Sequence, residues 1–177
     1  MTNIKFENIL ISFGHASREE KIKVLSENAD FDVYMDLTCF DPAEFYNTFP
    51  QLKGSFAALF CDGDKKVEVH LKTPSEKFLS KMTELGFKPV QTSIISTGFI
   101  FPRTIVQIIN EAHFALEDGV ASKKDIDRAM KYGVNYPKGP FEWSEGREVY
   151  VLALLEELYR KTQDKRYLPS KLLVQSI

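Results

Sequence analysis

A small, mainly parallel α/β unit followed by an all-α unit is the architecture this sequence predicts, on three observations. To about Ile95, short β-rich runs alternate with amphipathic helical ones, the order that lays strands parallel in one sheet. Beyond Gly98 the strand signals stop, and apolar residues recur at helical spacing through the rest of the chain. The change of period near Ile95 to Gly98 divides the sequence into residues 1–96 and 97–177. With 177 residues, 44% of them hydrophobic, the chain can bury a core without disulfide or metal help.

The elements follow in order. "NILISF" reads as a buried strand, and "SREEKIKVLSEN" as a helix opened by Ser17 and Glu20 at capping-box spacing, with Ile22 and Leu25 inward. "FDVYMDL" is a second strand, and "DPAEFYNTF" a short helix started by Asp41 with Pro42 in its first turn. "GSFAALF" and the alternating "KVEVHLK" are strands, "PSEKFLSKMTELGF" a helix ending near Gly86, and "KPVQTSII" a last strand. In the second half, "TIVQIINEAHFALEDG" places Ile105, Ile108, Ile109, Ala112 and Leu116 on one stripe. "SKKDIDRAMKYG" has Ser122 and Asp125 as its capping box, points Ile126, Ala129 and Met130 inward and stops at Gly133. "GPFEWSEGREVYVLALLEELYRKTQD" reads as one long helix from Pro140, and Ser170 can start a final short one.

Composition excludes several function classes. A net charge of −2 without blocks of like charge gives no electrostatic case for nucleic acid or an anionic membrane. Charged residues interrupt every apolar run, so no segment crosses a bilayer. Cys39 and Cys61 lack metal-ligand spacing and read as buried small apolar residues, and "MTNIKFENILISF" carries no cleavable signal pattern. The expectation is a cytoplasmic protein whose partners are small molecules or protein.

One connection is unusual. "NYPKGPFEW" holds Pro137 and Pro140 to fix backbone angles, Gly139 to permit a strained one, and Glu142 in the first turn of the next helix, where its charge suits the macrodipole; Phe141 and Trp143 point to different sides. It reads as a rigid turn that fixes two helices. His113 is read as packed or interfacial, one residue from the apolar stripe. His15 follows the first strand at the carboxyl edge of the sheet, where ligands bind in open α/β folds, or else caps the loop. Glu68 and His70, two apart on a strand, face one side and would set an acid beside a base, or form an ordinary surface pair.

The run "INEAHFALEDGVASKKDIDRAMKYGVNYPKGPFEW" closely resembles the C-terminal domain of 3-hydroxyacyl-CoA dehydrogenases, as does "DKRYLPSKLL". The resemblance covers residues from about Thr97 onward. It implies a small Rossmann-like α/β domain followed by a helical dimerisation domain, with acyl-CoA and a second copy of the chain as partners. It also implies oxidation of an L-3-hydroxyacyl-CoA with NAD as cofactor. The turn at Pro137, Gly139, Pro140, Phe141 and Glu142 is then a helix junction behind the substrate cleft, and Arg103 and Lys138 are candidates for CoA phosphates or for structural ion pairs.

The first half departs from that family. Its first strand leads into "FGHASREE", with Gly14 alone in place of a glycine-rich loop, and Glu19 and Glu20 would repel a diphosphate. Glu68 stands at the family's catalytic glutamate, but the general-base histidine falls on Phe56 and the substrate-contacting asparagine on Pro102. The reading is therefore a dehydrogenase-like protein without hydride transfer that retains acyl-CoA binding or dimerisation, and that needs no NAD. The alternative is an active NAD-dependent 3-hydroxybutyryl-CoA type enzyme with a rebuilt site: Glu68 and His70 as catalytic residues, Gly14 and His15 at the cofactor.

Overall fold

A computed structural model describes residues 1–61, 63 and 65–177, and these form two compact units, Met1–Ile100 and Phe101–Ile177. In the first unit, six strands run in sequence order across one sheet: β1 (Thr2–Phe6), β2 (Ile9–Phe13), β3 (Asp32–Asp36), β4 (Leu52–Ala57), β5 (Lys66–Leu71) and β6 (Lys88–Gln91). Helices α1 (Arg18–Glu27), α2 (Pro42–Thr48) and α3 (Glu76–Glu84) connect β2 to β3, β3 to β4 and β5 to β6, and those three pairs are parallel. The β1–β2 and β4–β5 pairs, with no helix between them among the described residues, are antiparallel. Direction thus follows connection type, because a parallel return needs a crossover that a short turn cannot supply.

Strand β1 is absent from the sequence reading for a physical reason. It is an edge strand with little burial, so no apolar alternation marks it. The inner strands are covered on both faces. Leu10, Val33, Met35 and Leu52 pack with Val24 and Leu25 of α1 and Phe45 of α2. Ile9, Ile11, Tyr34, Phe56, Val67 and Val69 pack with Phe78 and Met82 of α3. Alternation along β2 and β3 sends successive side chains to opposite layers, with Tyr34 stacked on Phe78 at 4.0 Å between centroids.

The helix starts follow the sequence closely. The Ser17 hydroxyl accepts from Glu20 N–H and the Glu20 carboxylate from Ser17 N–H, at 3.3 and 2.8 Å, while Asp41 and Ser75 cap α2 and α3. The inward face of α1 differs from expectation. Lys21 is fully buried and Ile22 is exposed, because the buried stripe runs through Lys21, Val24 and Leu25.

The second unit comprises α4 (Phe101–Glu117), α5 (Lys123–Gly133), α6 (Pro140–Ser144), α7 (Glu148–Thr162) and α8 (Lys171–Gln175). The stripe of α4 is rotated from the expected one: Ile105, Val106, Ile109, Asn110, Ala112 and His113 are buried, and Ile108 and Leu116 only partly so. Asn110 earns its burial by bridging backbone, donating to Leu168 O at 2.8 Å and accepting from Ser170 N–H at 2.9 Å. Ala129 is exposed, and Ile126 and Met130 are half-buried, so α5 buries less than its pattern suggested. The long helix expected from Pro140 is two helices, interrupted at Gly146 with φ +69°.

The turn before α6 is held from α5. Phe141 N–H donates to Asp127 Oδ1 at 2.9 Å, Gly139 N–H donates to Glu142 Oε2 at 3.0 Å, and Lys131 pairs with Glu142. Burial raises the Asp127 carboxyl above its usual range, while the Lys131 hydrogen bond lowers Glu142. Gly139 has an ordinary φ of −76°, not a strained one. It must be glycine because a Cβ there would overlap the Asp127 side chain. Gly139→Ala is therefore expected to cost about 1–3 kcal/mol through steric overlap alone. Chemical denaturation of both proteins checks this, and an unchanged midpoint would mean that Asp127 moves aside freely.

Candidate functional site

Three places gather polar groups, two in the first unit and one in the second. At the β4–β5 pair, Ser55 lies opposite His70, Phe56 opposite Val69 and Ala57 opposite Glu68. Phe56, at the position of the expected general base, is 0% exposed and belongs to the apolar layer under α3, 5.0 Å from Phe13 between ring centroids. The Glu68 carboxylate accepts from the N–H of Ile100, the last residue of this unit, at 2.9 Å. His70 is buried and places Nδ1 3.1 Å from the Tyr46 hydroxyl, which also donates to Ser55 Oγ at 2.9 Å. Burial alone lowers the His70 pKa, with no contribution from Glu68, and burial pushes the Tyr46 hydroxyl up to about 12. The strand spacing that suggested an acid–base pair holds, but these contacts direct the two side chains to different partners.

The second place is the carboxyl end of β2 and β3. Asp36 ends β3 fully buried, and its Oδ1 accepts from Thr38 N–H at 3.1 Å and Thr38 Oγ1–H at 2.6 Å. Oδ2 faces His15 Nδ1 at 3.3 Å, ion-pair distance without a well-formed hydrogen bond. Lys21 donates from Nζ to Gly14 O at 2.5 Å. Desolvation lowers the Lys21 pKa, and the charge of Asp36 opposes that shift. Gly14 has φ +105°, and a Cβ there would touch Met1. Sequence spacing pointed to Gly14 and His15, but Asp36 and Lys21 were missed. Nothing in an apolar-looking strand and a capped helix marks either as a member of one cluster.

In the second unit, Arg103 donates from Nε and Nη2 to the Tyr167 hydroxyl at 2.8 and 2.6 Å, joined by Gln107 at 3.2 Å. Its guanidinium is engaged within the unit. Lys138 lies close enough to Glu142 to help lower that carboxyl. His113 Nδ1 faces Ile109 O at 2.8 Å and its ring packs 4.8 Å from Phe141, so burial, the largest cause, lowers its pKa. Pro102 is buried in the first turn of α4. Among the described residues there is no group of three metal-ligating side chains and no helix long and apolar enough to cross a membrane.

The model of the 3-hydroxyacyl-CoA dehydrogenase C-terminal domain matches residues 98–177. A 3-hydroxybutyryl-CoA dehydrogenase of Clostridioides difficile is 42% identical over 135 residues, 75% of this chain and 45% of that protein. The chain belongs to the 3-hydroxyacyl-CoA dehydrogenase family. The 3-hydroxyadipyl-CoA dehydrogenase of Escherichia coli K12 is 48% identical over 81 residues, 44% of this chain and 17% of that one. The chain thus spans less than half the length of these curated relatives. Among solved structures, the (S)-3-hydroxybutyryl-CoA dehydrogenase of Ralstonia eutropha aligns over 95% of this chain and 64% of its own, with a TM-score of 0.75 and 22% identity. At that identity the likeness is one of fold, and it spans both the sheet and the helices.

The buried histidines make stability depend on pH. His70 and His113 both have pKa values lowered from 6.5 in the folded chain, so just below pH 6.5 the unfolded chain binds more protons. Stability is full above 6.5 and falls as pH drops toward the folded values. The melting temperature is expected to decline on mild acidification, and His70→Gln with His113→Gln to flatten that decline; an unaltered slope would assign it to the carboxylates.

Proposed function

We propose that this chain is a 3-hydroxyacyl-CoA dehydrogenase relative without hydride-transfer chemistry, in which acyl-CoA binding or dimerisation is what remains. The observation that carries the reading is Phe56. A general base must reach the proton it abstracts, and the residue at that position is an apolar ring sealed in the core. Glu68, which would orient such a base, holds a backbone N–H instead.

The cofactor implied by the family fits poorly. A pyrophosphate needs backbone N–H groups open at a helix start and glycines that let it approach. Here Gly14 is covered by Met1, its carbonyl is taken by Lys21, and Glu19 and Glu20 occupy the first turn of α1. Residues 98–177 match the family's C-terminal domain, and that resemblance is what supports acyl-CoA recognition and self-association by this unit.

The test is oxidation of NADH by acetoacetyl-CoA at micromolar protein, with Glu68→Ala alongside, together with sedimentation and acyl-CoA titration of the same sample. The expected result is no turnover from a folded protein that dimerises or binds acyl-CoA. Turnover lost in Glu68→Ala would instead make this an active 3-hydroxybutyryl-CoA type dehydrogenase with a rebuilt site. Absence of turnover, dimer and binding together would overturn the proposal.

A further inference from the structure

The sheet of the first unit has two open borders, β1 and β6, and they are not equally guarded. An edge strand carries a row of unpaired backbone donors and acceptors, which proteins blunt with proline, bulges or short length. β6 is four residues long and contains Pro89, which has no N–H to offer. β1 has five residues and no proline, and it pairs with β2 in register along its whole length. Thr2, Asn3 and Lys5 are exposed, and Ile4 and Phe6 are half-buried. Which backbone groups point outward follows from β2. Asp32 N–H donates to Asn8 O at 2.8 Å, so Leu10 and Ser12 also turn their backbone groups to β3, while Ile9, Ile11 and Phe13 turn theirs to β1. Their partners Phe6, Ile4 and Thr2 are therefore engaged, and Asn3 and Lys5 present N–H and C=O to the outside.

We propose that the β1 border is a self-association surface: β1 of a second copy of this chain pairs with it antiparallel about a two-fold axis through Ile4, joining two sheets edge to edge. Setting Asn3 against the partner's Lys5 engages every outward backbone group of both residues on each strand, with Ile4 facing its own copy between them. Charge selects the same register. A slip of two residues one way sets Lys5 against its own copy, and like charges directly opposite are destabilising, whereas Asn3 offers the Lys5 ammonium an amide acceptor. A slip the other way leaves Lys5 opposite Met1, outside the strand. The strand is also held ready: Lys5 Nζ lies 4.5 Å from the Phe31 ring centroid and Lys81 Nζ 5.4 Å from that of Phe6, which anchors β1 from both faces of the sheet and lowers the entropy lost on pairing. An isologous contact consumes the border of both copies and leaves only the β6 ends, with Pro89 in each. None of these residues belongs to the hydride-transfer positions or to the helical unit, so the pairing stands apart from both.

Hydrogen exchange tests the pairing without any variant. The N–H groups of Asn3 and Lys5 should exchange slowly in concentrated protein and fast at dilutions where sedimentation shows a monomer. Fast exchange at every concentration would overturn the proposal, and slow exchange in the monomer would hand the border to a segment of the same chain and overturn it too. Cysteine pairing reads the register. Ile4 meets its own copy at a non-hydrogen-bonded position, about 4.5 Å between Cα atoms and within disulfide reach, whereas Thr2 meets Phe6 and lies about 14 Å from its copy. Ile4→Cys, shown to be folded by circular dichroism, should give a covalent dimer with diamide, which takes up the two thiol hydrogens; Thr2→Cys and the unaltered protein should not. A dimer built through the helices alone leaves all three unlinked, and that result, or equal linking of both variants, would reject the contact. Adding Asn3→Lys to Ile4→Cys sets like charges opposite and should slow linking about tenfold, and adding Lys5→Glu as well should restore it. A rate indifferent to both changes would exclude this register.

Discussion

A charge buried at the end of an inner strand has to be answered by donors brought from elsewhere, and Asp36 sets that requirement for the first unit. Isolated in an apolar layer, its carboxylate would cost several kcal/mol. The fold supplies N–H donors from Thr38, in the loop that follows β3, and Ala58, at the end of β4, sets His15, from the end of β2, at ion-pair distance, and places the charge of Lys21 of α1 nearby. Each of these groups comes from a different segment, so the carboxylate gathers the ends of three adjacent strands around one point, with the first helix beside it. The charge of Asp36 opposes the effect of desolvation on Lys21, and buried charges of this kind serve geometry more than stability. That is why the inward face of α1 contains a lysine where periodicity called for isoleucine.

Legibility from sequence followed the range of the interaction concerned. Caps at Ser17, Asp41 and Ser122 are set by residues three positions away or fewer, and they were readable. The two-unit order was readable too, because a change of hydrophobic period is local along the chain. Strand direction was only partly so: the helices predicted parallel neighbours, but β1 is too exposed to signal, and β4 to β5 returns without a helix. What failed were features made across space. Gly139 looked like a residue chosen for its backbone freedom, whereas its ordinary φ and the nearby Asp127 show that it is chosen for its size. Arg103 was open to two readings, a CoA phosphate or a structural ion pair, and sequence could not show that its guanidinium donates to the Tyr167 hydroxyl, 64 residues on.

The two units keep different amounts of the family. The helical half retains the sequence of the dehydrogenase C-terminal domain, including the turn that α5 clamps through Asp127 and Lys131. The sheet half keeps the fold, with Phe56 sealed in its apolar layer and the Glu68 carboxylate accepting from the N–H of Ile100. Packing favours Phe56, which adds an apolar side chain to a layer already built from Tyr34, Phe78 and Val69. A histidine there would set a polar ring into a space shaped for a hydrocarbon one.

The hairpin of β1 and β2 has a consequence for assembly. β2 already spends its outer row of backbone donors and acceptors on β1, from Thr2 against Phe13 to Phe6 against Ile9. A doubly wound sheet grows by adding parallel strands to an open flank, and that flank of β2 is occupied by a neighbour running the other way. Any additional strands, whether from this protein or from another, must therefore join at β1 or at β6. The hairpin thus moves the open border of the sheet from β2 outward to β1, a strand running against its neighbour.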